Sequence, residues 1–360
     1  MSSDPTTQAA LDAALAEFKD PETGRGVVAM GQVSNIQLAG DRLGVTLALT
    51  TYSAPIWDDI YASFEQHLRS RLPGLSTIQV ERAVHDRPPS KIGEIGLTAK
   101  SVIAVGSGKG GVGKSTLAAS IALGLKRAGS HVGLMDADVY GPSIPHLLGL
   151  EGRPEVVDNR IQPNMKDGMP VMSMGFLVPP GEAVVWRGPM LHGAITQFLR
   201  DTNWGPLDYL IIDMPPGTGD IALTLSQLLP LTGAVVVCTP QDVALLDAVK
   251  AIAMFRKVNI PVLGMVENMS GFVCPDCNKR YDIFGSGGAR RSAEELSVPF
   301  LGDVPINMVI RERGDAGASD SVFDDPIVAP SLTSICHRLV TSLSEKAVAA
   351  PPKPQLPVLG

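Results

Sequence analysis

Residues 101–116 read SVIAVGSGKGGVGKST, an apolar run followed by a glycine-rich loop. The loop meets the spacing G-x-x-x-x-G-K-[ST] with Gly108, Gly113, Lys114 and Ser115. The apolar run favours a buried strand, and the following TLAASIALGLKRAG favours a helix. In such a loop the backbone N–H groups face phosphate oxygens, and the positive N-terminus of the helix points at the same charge. The stretch therefore predicts a nucleotide-binding P-loop.

The motif also predicts a role for each side chain of this loop. Lys114 is expected to bridge the β- and γ-phosphates, Ser115 to hold Mg²⁺ and Thr116 to reach the α-phosphate. A chance glycine-rich turn is the alternative, and the flanking strand and helix argue against it. The predicted nucleotide-binding residues of the loop are Gly108, Lys109, Gly110, Gly111, Val112, Gly113, Lys114, Ser115 and Thr116.

A second lysine, Lys109, lies inside the loop. The pattern KGGVGKS resembles the deviant Walker A motif of the class that contains MinD, ParA and the nitrogenase iron protein. The resemblance implies that Lys109 reaches across a homodimer interface to the phosphates of the partner. The alternative is a solvated loop lysine, whose charge favours a triphosphate even within one chain.

Acidic residues follow two further apolar runs. YLIIDMPPGTGD places Asp213 at the carboxyl end of a strand, where open α/β sheets bind ligands and a carboxylate can orient Mg²⁺-bound water. The loop at 215–220 is predicted to be a switch that senses the γ-phosphate. In LMDADVYGPSIP, the resemblance implies that Asp138 positions the attacking water and that Asp136 lies near the metal. Either acid alone is also compatible with a loop cap.

The base is predicted to be adenine, so that the chain would act as an ATPase. A GTPase would carry N-K-x-D after a late strand, and here that strand ends VENMS. Asn268 matches the adenine-contacting asparagine of the resembled class, and residues 239–242 (TPQD) are expected on the other side of the base.

The order of apolar runs and helix-like stretches along the chain predicts its fold class and domains. Short Val- and Ile-rich runs alternate with stretches of helical length after residue 98, which favours an α/β fold with a mostly parallel sheet covered on both faces. Before them, helix- and strand-like stretches indicate a small α+β domain. The predicted divisions are an α+β domain at 1–85, a linker at 86–98, the P-loop ATPase domain at 99–346 and a disordered, proline-rich tail at 347–360.

Four cysteines are too few for a disulfide framework, but two of them form a pair. Cys274 and Cys277 lie in GFVCPDCN, whereas a closed zinc or iron–sulfur site usually takes four thiolates. Cys238 and Cys336 lie in apolar segments and are expected to be buried. If the chain dimerises, two pairs supply the four thiolates. A redox pair, a structural zinc site and two incidental thiols remain alternatives.

Several motifs together resemble the Mrp/ApbC family of iron–sulfur cluster carrier ATPases over residues 98–346. The resemblance implies a homodimer that holds a labile [4Fe–4S] cluster between the two copies of Cys274 and Cys277. It also implies slow ATP hydrolysis coupled to cluster loading or to transfer to apoproteins, with cluster assembly proteins as partners. The motifs are KGGVGKST, DADVYGPSIP, WRGPM, IIDMPPGTGD, ENMSGFVCPDC and IFGSGGA.

The first domain is similar to the SufT-like domain that often precedes such ATPases. The similarity lies in DPETGRGVVAMGQVSNIQL and LALTTYSAPIWDDI. The family often has a cysteine in the second stretch, where this chain has Ala54. We therefore expect this domain to serve protein contacts and not direct metal binding.

Charge and hydropathy limit the other partners. The net charge is −7 without a Lys/Arg block, which disfavours nucleic-acid binding, and the apolar runs are too short to span a bilayer. A soluble, cytoplasmic protein is expected. A MinD/ParA-like positioning ATPase would anchor to a membrane or to DNA, and the acidic charge and the tail PPKPQLPVLG disfavour both. Zinc and iron–sulfur clusters both accept four thiolates, so the sequence leaves that choice open.

Overall fold

The computed structural model describes residues 8–139, 141–177, 188–217, 219–274, 276–277 and 279–350. Part of the WRGPM motif, one residue of the predicted switch loop and the last ten residues of the predicted tail lie outside this part of the chain. The structure forms two compact units, the first up to Arg87 and again from Val340, and the second from Pro88 to Leu339. In the described residues, no helix combines the length and apolar character of a bilayer span.

The first unit is a three-stranded sheet covered by two helices. The order is β1-β2-β3, with β1 antiparallel and β3 parallel to β2. Alternate residues of β2, from Leu43 to Leu49, face a core shared with Phe64 of the second helix. Strand β1 was not predicted, because most of its residues are exposed and show no apolar alternation. The elements are α1 (Gln8–Glu17), β1 (Val33–Ala39), β2 (Arg42–Leu49), α2 (Trp57–Arg71) and β3 (Thr77–Val84).

The loop between α1 and β1 is held by a buried polar network. The Asp20 carboxylate accepts hydrogen bonds from Gln32 Nε2 at 2.9 Å and from Arg87 Nη2 at 2.9 Å. Glu22 accepts from the Thr50 hydroxyl at 2.5 Å and pairs with Arg87 at 2.8 Å. The last residue of this part of the unit thus ties the loop to the strand ends.

The second unit contains the remaining elements. Residues 86–98, which were predicted as a linker, include one short strand and the start of a long one. The elements are β4 (Lys91–Ile92), β5 (Leu97–Gly106), α3 (Lys114–Arg127), β6 (Val132–Asp136), α4 (Ile144–Leu148), β7 (Val156–Val157), β8 (Arg160–Ile161), β9 (Asn164–Lys166), β10 (Met169–Ser173), α5 (Gly188–Asp201), β11 (Leu207–Asp213), α6 (Gly219–Leu228), β12 (Gly233–Cys238), α7 (Asp242–Lys257), β13 (Val262–Val273), β14 (Arg280–Tyr281), α8 (Gly288–Glu295), β15 (Phe300–Ile306), α9 (Met308–Asp315) and α10 (Ala329–Ala349), the last of which crosses the boundary between the units.

The central sheet of this unit confirms the predicted α/β class. Its strands run in the order β14-β13-β12-β5-β11-β6-β10-β9, with β15 beside β13 and β4 beside β5. Only β4, β9 and β14 pair antiparallel among the described strands of this sheet. In register, Asp213 lies between Val105 and Asp136. The carboxyl ends of β5, β11 and β6 therefore bring the P-loop and two acids to one edge.

Helices cover both faces of this sheet. Buried residues of α5, α6, α7 and α8 form one hydrophobic cluster with Val102 and Ala104 of β5. Because side chains alternate along a strand, Ile103 and Val105 face the opposite side. Helix α3 contacts β5, β6 and β11 and contributes no residue to that cluster, which places it on the opposite face.

Candidate functional site

The glycines of the P-loop are required by its backbone path. Gly111 and Gly113 have φ of 78° and 79°, in the left-handed region that glycine adopts without strain. Gly113 is the N-cap of α3. A Cβ at Gly113 would overlap the Asn268 amide, and a Cβ at Gly108 would overlap the carbonyl of Asp247 in α7.

The Lys114 ammonium lies among the predicted acids. Its Nζ is 2.5 Å from Asp213 Oδ1, 3.1 Å from the Ser115 hydroxyl and 3.6 Å from Asp138 Oδ2. The lysine side chain is 7% exposed, so these charges interact in a poorly solvated site. The structure thus brings together Lys114, Ser115, Asp138 and Asp213, which were predicted from separate segments.

Asp136 and Asp213 are neighbouring buried carboxylates. Burial and the adjacent Asp213 raise the pKa of Asp136 to about 7. Its oxygens accept from the Asp138 and Ile144 backbone N–H groups at 3.0 and 3.2 Å and from the Ser173 hydroxyl at 3.0 Å. Asp136 therefore anchors the loop after β6. Ser173 was missed by the sequence analysis, because no motif marks the end of β10.

The two carboxylate oxygens of Asp213 differ, because Oδ1 pairs with Lys114 and Oδ2 does not. Burial raises the pKa of Asp213, and the charge of Lys114 opposes that shift. Oδ2 is buried and has no hydrogen-bond partner among the described residues. No group of three or more His, Cys, Asp or Glu side chains in the described part of the chain is arranged to hold a metal. Mg²⁺ usually takes one or two carboxylates together with phosphates, so Asp213 Oδ2 and the Ser115 hydroxyl fit it.

Lys109 is half-buried in the P-loop. Its carbonyl accepts a hydrogen bond from the Ser107 hydroxyl at 2.9 Å, which fixes the backbone. Within the described residues its ammonium has no ion pair or hydrogen bond. The adjacent helix α7 exposes Val243 and Leu246, which are 66% and 64% accessible. The described part of the predicted switch loop also contacts the P-loop, since the Gly217 N–H donates to the Ser107 carbonyl at 3.2 Å.

A cavity of about 350 Å³ opens beside the end of the P-loop. Asn268 lines it and also donates its amide to the Val112 carbonyl at 2.9 Å. Residues 305–307 and α9 also line the cavity, whereas 239–242 is not among its lining residues. The lining residues are Gly113, Thr116, Leu147, Asn268, Met269, Phe284, Pro305, Ile306, Asn307, Ile310, Arg311, Gly314 and Asp315.

The cysteine pair lies in a hairpin loop between β13 and β14. Cys274 is half-buried and Cys277 is exposed, and the Cys274 N–H donates to the Lys279 carbonyl at 3.0 Å. The backbone N–H groups of Cys277 and Asp276 lower the pKa of the Cys274 thiol. A thiolate is thus favoured where a soft metal would need it.

The other two cysteines are buried, as the sequence predicted. Burial and the neighbouring Glu267 raise the pKa of Cys238 to about 12, and burial raises that of Cys336 to about 12.

Glu267, which the sequence analysis missed, braces the strand that carries the thiols. It is fully buried, and its carboxylate accepts from the Ser270 hydroxyl at 2.6 Å and from the Gly287 and Ala289 N–H groups at 2.8 and 2.7 Å. Arg280 of β14 donates to the Ser270 carbonyl at 3.1 Å. The sequence signal that could have identified Glu267 is the presence of an acid inside the apolar run PVLGMVENM.

Comparison with known proteins gives matches in both units. A family model described as NUBPL iron-transfer P-loop NTPase matches residues 98–340. A second model, described as iron-sulfur cluster assembly protein, matches residues 8–81.

Individual relatives extend these matches. The chain is 46% identical over 357 residues to the iron-sulfur cluster carrier protein of Deinococcus radiodurans, covering 97% of this chain and 99% of that protein. It is 54% identical over 230 residues to the mouse iron-sulfur cluster transfer protein NUBPL, covering 63% and 72%. A solved Archaeoglobus fulgidus nucleotide-binding protein in complex with ADP, with cobalt, aligns at a TM-score of 0.57 and 41% identity, covering 64% and 90%.

Proposed function

This chain belongs to the family of NUBPL iron-transfer P-loop NTPases, and from that premise we propose that it is an ATP-dependent iron–sulfur cluster carrier. Two copies would hold one [4Fe–4S] cluster between their Cys274 and Cys277 thiolates and pass it to apoproteins. The observation that carries the proposal is the joint presence of a complete P-loop site and an accessible thiol pair with a lowered Cys274 pKa in one unit.

ATP hydrolysis is supported by the residues at the strand ends. The triphosphate would draw Lys114 from Asp213, because the phosphates offer it a larger negative charge. Bound Mg²⁺ would neutralise charge on the β- and γ-phosphates. Asp213 and Ser115 would hold it, Asp136 would fix the loop that bears Asp138, and Asp138 would orient the attacking water. The ADP complex of the Archaeoglobus fulgidus relative supports nucleotide binding.

Adenine recognition is supported by the cavity beside Asn268. Its apolar wall includes Leu147, Ile306 and Ile310, and Asn268 and Asn307 supply polar groups at its edge. Small-ligand sites are usually concave and apolar with few polar groups, and this volume falls in their range.

A homodimer is supported by coordination chemistry and by the surface around Lys109. One chain supplies the half-buried Cys274 thiol and the exposed Cys277 thiol, and a four-thiolate site needs two chains. Exposed apolar side chains lie on the helices that follow β11 and β12, namely Leu223 of α6 and Val243 and Leu246 of α7. Lys109 would then reach the partner's phosphates.

The first unit is proposed to contact recipient or assembly proteins. The structure places Ala54 in a short 3₁₀ helix, Thr51–Ile56, beside the polar network of Glu22 and Thr50. Ala54 has no ligating side-chain atom, so it cannot take the role of the family cysteine, and we assign the unit to protein contacts. A cytoplasmic location is proposed as well, because a reducing compartment keeps thiols available as ligands.

The test is anaerobic reconstitution of the full chain with iron and sulfide. We expect about four iron and four sulfide per dimer with brown absorption, and loss of both in a Cys274→Ala/Cys277→Ala variant. Cys238→Ala serves as the control, because that buried thiol should leave the iron content unchanged. Normal iron and sulfide in the double variant would refute the site, and zinc alone in oxygen-protected protein would point to a structural zinc site.

A further inference from the structure

Both ends of the segment 268–284 line the cavity that is proposed to bind the base. Asn268 and Met269 line the cavity where β13 passes, and Phe284 lines it where the chain comes back from β14. Between these points the chain runs out through Cys274 and Cys277. The thiol hairpin is therefore bounded at both ends by residues of one cavity.

We propose that Phe284 binds the nucleotide base by stacking, and that this contact links nucleotide binding to cluster binding at Cys274 and Cys277. The second part rests on the proposed function. Phe284 is 40% exposed, although it lines the cavity together with the apolar side chains of Leu147 and Ile310. A planar base can cover such a ring, and base–aromatic stacking is a favourable contact for any base.

Phe284 lies between two anchored points of the chain. On one side, Asp282 accepts from Arg280 Nε at 3.1 Å, and the Gly285 N–H donates to the Asp282 carbonyl at 3.0 Å. On the other, Gly287 is held by Glu267 at 2.8 Å. The aromatic ring thus sits on a short span with little freedom.

The same anchors connect to the strands on both sides of the thiol loop, where the Cys274 N–H donates to the Lys279 carbonyl at 3.0 Å. Arg280, which follows the thiol loop, donates to the Ser270 carbonyl at 3.1 Å, and Ser270 donates to Glu267 at 2.6 Å. These bonds connect Phe284 through Asp282 and Arg280 to the hairpin, which is the route by which a shift of Phe284 on a base would act on the thiol loop. Linkage requires that nucleotide and cluster change each other's affinity by the same factor.

The first experiment measures ADP affinity of the cluster-free full chain by calorimetry. Phe284→Ala should weaken ADP binding about ten-fold, the scale of one lost stacking contact. Phe284→Trp, which keeps a stacking face, and Ile283→Ala should stay within about two-fold of wild type. Ile283 is a matched control, since it is the adjacent residue, 59% exposed and not among the cavity lining. An unchanged affinity in Phe284→Ala would overturn the base contact.

The second experiment measures iron release to a chelator from the loaded full chain, with and without saturating ADP. In wild type and in Ile283→Ala, ADP should change the rate of iron release by the same factor. In Phe284→Ala, ADP should leave the rate unchanged even at saturation. The linkage would be overturned if ADP did not change the wild-type rate, or if it changed the Phe284→Ala rate by the wild-type factor. A wild-type chain that takes up no cluster would refute the proposed function, while the calorimetry would still decide the role of Phe284.

Discussion

Lys114 and Asp213 form a buried ion pair whose two partners have separate tasks in the nucleotide site. The ammonium lies 2.5 Å from the carboxylate, and the side chains are 7% and 0% exposed. Lys114 is the residue that a P-loop presents to phosphates, and Asp213 is the acid that fits Mg²⁺. Each partner therefore satisfies the other until phosphate and metal compete for both.

Lys114→Ala should abolish ATP turnover and leave cluster binding intact. The variant loses the cation that stabilises the transferred phosphoryl group, and we expect a rate reduction of at least about 100-fold. The thiol loop follows β13, whereas Lys114 follows β5, so the iron and sulfide content of the variant should match that of wild type. Phosphate release and iron analysis are the measurements. Lys126→Ala, at the far end of the same helix, is the control. Full ATPase activity in Lys114→Ala would show the P-loop assignment to be wrong.

Lys109 and Lys114 variants should complement each other when mixed. If Lys109 acts on the partner's nucleotide, a mixed dimer of Lys109→Ala and Lys114→Ala contains one complete site. Random pairing of two inactive proteins should then restore about a quarter of wild-type turnover, because half of the dimers are mixed and each has one working site of two. Turnover is measured after co-refolding or co-expression. No recovery in dimers shown to be mixed would place Lys109 in its own site.

The P-loop and its acids were predictable because their signals are local. Gly113 must be glycine for its own φ, and Asp213 follows an uninterrupted apolar strand whose end is fixed by parallel pairing. The buried state of Cys238 and Cys336 was predictable for the same reason. Their apolar neighbours in sequence are also their surroundings in space.

The base cavity and the bracing of the thiol loop were not predictable. The cavity wall comes from 305–307 and Phe284, which only tertiary packing brings to Asn268. The Glu267 carboxylate accepts hydrogen bonds from backbone N–H groups at the start of α8, and no sequence spacing predicts such a contact. Strand β1 was missed because a solvent-facing edge strand needs no apolar alternation.

Alkylation of the metal-free native chain at neutral pH should label two thiols and spare two. The thiolate is the nucleophile, so the raised pKa values and burial of Cys238 and Cys336 protect them. Cys274 should react at a lower pH than the thiol of a free cysteine peptide, because its pKa is lowered. Cys277→Ala keeps the backbone N–H that contributes to this shift, and Cys274→Ala reports the other thiol alone. Iodoacetamide labelling followed by mass spectrometry across pH 6–9 is the measurement. A pH profile of Cys277→Ala that matches the profile of a free cysteine peptide would contradict the assignment.

Arg87→Ala should destabilise the first unit selectively. Arg87 is 18% exposed and pairs with Asp20, which is fully buried, and with Glu22, which is 11% exposed. Removing the guanidinium leaves the Asp20 carboxylate buried, with Gln32 and Thr23 as its remaining side-chain partners among the described residues, which costs about 3 kcal/mol of unfolding free energy. The matched control is Arg69→Ala, whose pair with Glu65 is 52% and 42% exposed and contributes less than about 1 kcal/mol.

Hydrogen exchange read by mass spectrometry separates the two units. Peptides from 8–84 should exchange faster in Arg87→Ala, while peptides from 99–250 keep the wild-type rate. Equal protection in Arg87→Ala and Arg69→Ala would show that the network contributes no more than a surface pair.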